Sequence, residues 1–149
     1  MKIKWICKKF HDLTVDELYT LLRLRSEVFV VEQNCVFLDM DDKDQKCDHL
    51  LGWIGDDLAA SARIVPAGIS YTEPSIGRVV TSPKHRGKGS GRQLMEEAIR
   101  LTIQLHGNQP IRIGAQLYLK KFYTSLGFVA DGEIYLEDGI EHIEMVRVR

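Results

Sequence analysis

The chain has 149 residues, 44% of them hydrophobic, and a formal net charge of -1 at neutral pH. That length fits one domain spanning 1–149, able to bury about two thirds of the surface its unfolded chain would expose. The near-balanced charge argues against a dedicated nucleic-acid binder, so no nucleic-acid partner is expected.

Ile3, Trp5 and Cys7 alternate with Lys2, Lys4 and Lys8, the period of a first strand. The same stretch lacks the long apolar run of a signal peptide or membrane span, so no membrane partner is expected. Thr14 and Glu17 have capping-box spacing, and the apolar stripe of Leu18, Leu21, Leu22, Val28 and Phe29 extends the predicted helix to about Val31. The acidic stretch 39–44 reads as a solvated loop. Strands follow at 49–54 and 58–65, joined by a tight turn at Gly55, Asp56 and Asp57. A further strand covers 75–81, and a helix runs over about 93–105 until Gly107 and Pro110 stop it. A strand at 111–115, a short helix at 117–126 closed by Gly127, and a hairpin of 129–136 with 142–148 complete the order. The class is α/β in the broad sense, with a mixed central sheet of six to seven strands flanked by about four helices.

Cys7, Cys35 and Cys47 are odd in number and fit no disulfide framework, which points to a reducing cytoplasm. Cys35, Cys47 and His49 include no CxxC pair, so no metal is expected.

The most informative stretch joins the 75–81 strand to the helix after it. Gly87, Gly89 and Gly91 alternate with Lys88 and Ser90, and Arg86 and Arg92 flank them. A glycine turn that opens a helix gathers backbone N–H groups and the positive end of the helix dipole, which suits a pyrophosphate. The spacing is neither that of a P-loop nor that of a dinucleotide fingerprint. A glycine turn with no ligand is the alternative at this point.

The flanks decide between them. Arg86-x-x-Gly89-x-Gly91 after a Val79-Val80-x-x-Pro83 strand end resembles the coenzyme A motif of the GNAT acyltransferase superfamily. Downstream, 115–128, ending Tyr123-x-x-x-Gly127-Phe128, resembles a second segment of the same superfamily. Further stretches at 24–33, 48–50, 76–80 and 137–142 resemble its ElaA-like branch, so the likeness spans nearly the whole chain.

The resemblance implies the GNAT fold and an acetyl-CoA-dependent N-acetyltransferase acting on a small-molecule or peptide amine in a ternary complex. It places the pyrophosphate on the amides of Arg86, Gly87, Lys88, Gly89, Ser90 and Gly91. It lays the pantetheine arm along Val79, Val80 and Thr81, with Gln116 and Phe122 also on the coenzyme A side. Gln116 stands where many members have Asn; Phe122 is equally explained as core. Tyr123 corresponds to the tyrosine that protonates the departing thiolate; a structural hydrogen bond is the alternative. Several relatives carry a base glutamate on the strand at 76–81, where this chain has none. Proton removal therefore falls to a water chain or to Glu32, His49, His142 or Glu144.

Arg25, Arg63 and Arg78 stand among apolar neighbours, where an arginine needs a carboxylate or phosphate partner. One reading pairs them with Glu27, Glu32 or the acidic loop. The other makes Arg25 and Arg78 part of an acceptor pocket that recognises a carboxylate; Glu32, His49 and His142 are the further candidate substrate residues. A non-catalytic acyl-CoA sensor is the alternative function. Monomer and homodimer both remain open.

Overall fold

The computed structural model describes residues 2–148. Eight strands and three α-helices follow one another as β1 (Lys4–Lys9), α1 (Val15–Arg25), β2 (Asp48–Ile54), β3 (Asp57–Val65), β4 (Ser75–Thr81), α2 (Ser90–His106), β5 (Ile111–Gln116), α3 (Lys120–Thr124), β6 (Phe128–Ala130), β7 (Tyr135–Glu137) and β8 (Ile140–Arg147). Hydrogen bonding divides the strands into two four-stranded sheets, one ordered β1-β2-β3-β4 and one with β8 between β5 on one side and β6 and β7 on the other.

The expected order is present, with local differences that have physical causes. Thr14 caps α1 in a complete capping box with Glu17. Beyond Arg25 the helix does not continue as α; residues Ser26–Glu32 wind as a wider π-helix, with Gln33 N–H bonded to the Val28 carbonyl. Such π segments are uncommon and often lie at functional sites. α2 begins at Ser90 rather than Gln93, because Gly89 takes a left-handed cap conformation and starts the helix a turn earlier. The predicted 129–136 strand is broken into β6 and β7 where Asp131 N–H reaches the Glu144 carbonyl at 2.9 Å and Gly132 turns through φ 130°.

The first sheet buries both faces. Leu21, Leu24 and Val28 cover one face through Leu51, Leu58 and Val80. On the other, Leu94, Met95, Ala98 and Ile99 of α2 pack on Leu50, Ala60, Ala62 and Ile76, and this core continues into Ile113, Phe128 and Met145 of the second sheet. Each fully buried side chain of this size contributes roughly 1.5–3 kcal/mol.

The acidic loop is not a solvated one. Asp39 and Asp44 are buried, and so are Arg25 and Arg63. Arg25 bonds Asp39 at 2.8 Å and Asp44 at 2.9 and 3.0 Å. Arg63 bonds Asp41 and Asp44, both at 2.8 Å through Nη1. Arg78 Nε lies 2.8 Å from Asp39, and its Nη2 donates to the Asp39 carbonyl at 2.7 Å. Charges on three elements are thus neutralised by one loop, which satisfies the rule that buried charges are paired. Burial pushes the Asp44 carboxyl up, but its bonds to Arg25 and Arg63 outweigh that and hold it below the usual range. The same balance, with Arg63 as the main partner, lowers Asp41.

Removing one partner leaves a buried charge alone, so Arg25→Met is expected to cost about 3–5 kcal/mol in urea unfolding. Both carboxyls are depressed in the folded state. Their contribution is therefore complete above about pH 4, the unfolded carboxylate value, and is lost as pH falls through the folded values. The melting temperature should drop steeply below about pH 4, and a flat acid profile would contradict this network.

Candidate acyl-transfer site

β4 and β5 start together and then part. Arg112 N–H bonds the Pro74 carbonyl at 3.1 Å where both strands begin, and no ladder joins them beyond that point. A bulge drives the separation. Ser61 pairs with Val80 and Arg63 with Gly77, so Arg78 and Val79 together oppose Ala62 alone. Arg78 takes φ 46° there, a left-handed conformation that costs a non-glycine residue of order 1 kcal/mol. Its guanidinium, held by Asp39 and Asp41 and lying 5.9 Å over the Phe37 ring, secures that conformation.

The parting leaves a cleft of about 650 Å³. Val79, Val80 and Thr81 form one wall, and Ile113, Gly114 and Gln116 form the facing wall. The π-helix supplies Phe29, Glu32 and Gln33 across the top. With both strands unpaired on their inner edges, the cleft offers main-chain groups that a ligand can bond as an added strand.

At one end the glycine loop meets the cleft. Gly87 and Gly89 have φ 78° and 75°, and a Cβ on either would meet nothing within 4 Å. The need for glycine there is conformational, not steric. The first helical bond of α2 runs from Gln93 N–H to the Gly89 carbonyl, so the amides of Ser90, Gly91 and Arg92 have no helical acceptor. These amides and the dipole of a long helix fit a diphosphate. Arg86 and Gly91 line the cleft; Gly87, Lys88, Gly89 and Ser90 lie just beyond it. Ser90 is buried, and its hydroxyl donates to the His85 carbonyl at 3.2 Å.

Tyr123 is buried, with its ring edge-on to Phe122 and Phe128 at 5.2 and 5.9 Å. It lines the cleft, and among the described residues its hydroxyl has no hydrogen-bond partner. Burial, with Tyr118 nearby, pushes its pKa up to about 12. The phenol therefore keeps its proton at neutral pH. Gln116 Nε2 donates across the cleft to Gln33 at 3.4 Å.

The candidate bases separate clearly. Arg86 grips Glu32 with two bonds of 2.6 Å, and this holds the carboxyl below its ordinary value. Glu144 is held by Arg112 at 3.0 Å. His49 is buried on the Asp44 carbonyl at 2.8 Å, outside the cleft, and burial lowers its pKa. His142 alone faces the cleft without a strong partner on one nitrogen. Its Nδ1–H donates to the Ile140 carbonyl at 2.7 Å, which leaves Nε2 without a hydrogen-bond partner among the described residues, 3.6 Å from Glu137. Tyr135 stacks on its ring at 5.7 Å.

Two expectations need correction. Arg25 and His49 lie beneath the acidic loop, sealed from the cleft by the pairing that burial demands. Arg78 does reach the cleft, yet its guanidinium is committed to Asp39 and Asp41, so the carboxylate pocket is not formed. Glu137, Gln33 and Phe37 also line the cleft; Gln33 and Glu137 fall in stretches of family likeness that assigned them no role, and Phe37 lies outside those stretches. Only the Tyr135–His142 register of the last hairpin brings Glu137 to His142. Among the described residues, no three His, Cys, Asp or Glu side chains are grouped to hold a metal ion.

Comparison with known proteins gives a consistent result. A family model described as an acetyltransferase (GNAT) domain matches residues 55–148. Protein ElaA of Escherichia coli is 43% identical over 147 residues, covering 97% of this chain and 96% of that protein. The crystal structure of an acyl-CoA N-acyltransferase from Pseudomonas aeruginosa superposes with a TM-score of 0.94 at 43% identity, covering 99% of this chain and 100% of that one. A Bacillus subtilis acetyltransferase solved in complex with CoA shares the fold, with a TM-score of 0.67 at 22% identity over 99% of each chain.

The bulge yields a paired test. Arg78→Ala keeps the left-handed strain and loses the clamp, whereas Arg78→Gly loses the clamp and relieves the strain. The glycine variant should unfold at higher temperature, by about 1 kcal/mol of stability. Equal stability of the two would show that Arg78 is not strained.

Proposed function

The chain belongs to the GNAT acetyltransferase family, in the branch that holds Escherichia coli ElaA, and on that premise we propose that it is an N-acetyltransferase moving acetyl from acetyl-CoA to a primary amine. The observation that carries the proposal is the buried Tyr123 ring, whose hydroxyl has no partner among the described residues, in a cleft that leads to the glycine loop. Acetyl-CoA supplies the activated carbonyl and the thiolate leaving group, so that a C–N bond forms as the C–S bond breaks. The chain's own residues do the rest within one ternary complex. The amides of Arg86, Gly87, Lys88, Gly89, Ser90 and Gly91 hold the pyrophosphate, and the open edge of Val79, Val80 and Thr81 aligns the pantetheine arm. Gln116 and Phe122 flank that arm.

Tyr123 donates its proton to the sulfur. A phenol near 12 is a weak acid, but a thiolate in the same dry site is a stronger base than in water. His142 Nε2 takes the proton from the amine, directly or through one water, and Glu137 faces the imidazolium that results. Arg86 is occupied by Glu32 in this structure. All three cysteines are free thiols, which supports a reducing cytoplasm as the place of action. No helix among the described residues is long and apolar enough to cross a membrane.

Three measurements test this. Tyr123→Phe should lower kcat about 10²-fold or more while leaving CoA affinity unchanged. Gly89→Val forces a β-branched residue to positive φ and should weaken CoA binding at least about tenfold by calorimetry. Because Tyr123 titrates far above neutrality, it stays protonated, and kcat should not decline up to about pH 10. Thiol release that is unaffected in Tyr123→Phe would remove the assigned acid.

A further inference from the structure

The acceptor half of the cleft has an unusual charge balance, and it bears on which amine enters. Two arginines line the cleft, Arg78 and Arg86, and each is already bound by carboxylates. Arg78 contacts Asp39 and Asp41 and has Phe37 against its face; Arg86 is paired twice with Glu32. Neither is free to receive an anion.

The acids tell the opposite story. Glu137 and Asp138 line the same region, and among the described residues neither has an arginine or lysine partner. Glu137 faces only His142, at 3.6 Å. Asp138 is fixed in the β7–β8 turn at φ 52°, with Gly139 at φ 79°, and its carbonyl accepts the Cys35 thiol at 3.1 Å. A hairpin turn of this kind accounts for Asp138 at that position but not for Glu137 beside the cleft.

His142 is a separate observation. It is over nine-tenths buried, and its Nδ1–H is spent on the Ile140 carbonyl. In the neutral imidazole that the base role requires, Nε2 is an acceptor, and it lies 3.6 Å from the Glu137 carboxylate, which can also only accept. An ammonium brings donors alone and matches both. A carboxylate on the adjacent carbon would bring acceptors to acceptors, next to uncompensated negative charge. The surrounding walls are Phe29, Phe37 and Ile140, which suit a carbon chain or ring.

We infer that the acceptor is an alkyl or arylalkyl amine that carries no carboxylate beside its amino group, selected by Glu137 and His142 with both cleft arginines neutralised from within. This rests on the N-acetyltransferase reading for its meaning but not for its test.

The test uses matched pairs that differ by one carboxylate beside a single amine: isopentylamine against leucine, and tyramine against tyrosine. Binding to the full chain saturated with CoA is measured by calorimetry, and thiol release from acetyl-CoA is followed separately. The amine of each pair should bind at least tenfold more tightly than its amino acid, and Glu137→Gln should shrink that ratio at least threefold. Equal or tighter binding of leucine and tyrosine, no measurable binding of either amine, or a ratio unchanged in Glu137→Gln would each overturn the inference. Preferential binding without thiol release would uphold it and instead sink the transfer reaction. The Glu137→Gln melting temperature, expected within a few degrees of wild type for so exposed a side chain, guards against misfolding as the cause.

Discussion

Two strand edges that face each other without pairing are the constraint on which this molecule is built. β4 and β5 begin within one hydrogen bond of each other, and in an ordinary sheet they would zip together. The extra residue at Arg78 and Val79 bends β4 away, so its later main-chain groups point into space rather than to a neighbour. Backbone groups in such a position need a partner. A ligand with an extended, amide-bearing arm satisfies them, and the splay then becomes a binding site rather than a defect.

The bulge depends in turn on electrostatics some distance along the chain. Arg78 would not hold a left-handed conformation without reward. The reward is its place in the cluster formed by Arg25, Arg63, Asp39, Asp41 and Asp44. That cluster ties α1, β3, β4 and the acidic loop to one another. It also has a chemical consequence, because an arginine already neutralised from behind cannot recognise a substrate anion in front. The same residues thus shape the cleft and determine the sign of charge it prefers.

The π-helix completes the enclosure. A straight α-helical continuation from Arg25 would present a different face at each later residue. The wider winding over Ser26–Glu32 turns Phe29, Glu32 and Gln33 into the cleft, where Glu32 meets Arg86 and Gln33 meets Gln116. Helix, glycine loop and second sheet are linked in this way across the gap between the strands.

Much of this was legible in the chain itself. The capping box at Thr14, the tight turn at Gly55 and the glycine loop that opens α2 rest on contacts between residues close in sequence, so spacing alone declares them. Tyr123, Arg86 and Gly91 were singled out through likeness to a family, and these three do line one cleft, with Gly87 to Ser90 just beyond it. What could not be read depends on which distant residues meet. The acidic loop read locally as solvated; pairing of the arginines with it was one reading of the sequence, but that Arg25, Arg63 and Arg78 from α1, β3 and β4 all converge there was decided by packing. Arg25 and His49 looked available for the same reason. Glu137 stood in a stretch of family likeness but had no role until the hairpin register brought it to His142. Local propensity and turn chemistry act over a few residues and are written in order along the sequence; the pairing of buried charges and the opening between β4 and β5 are long-range outcomes that exist only once the chain has packed.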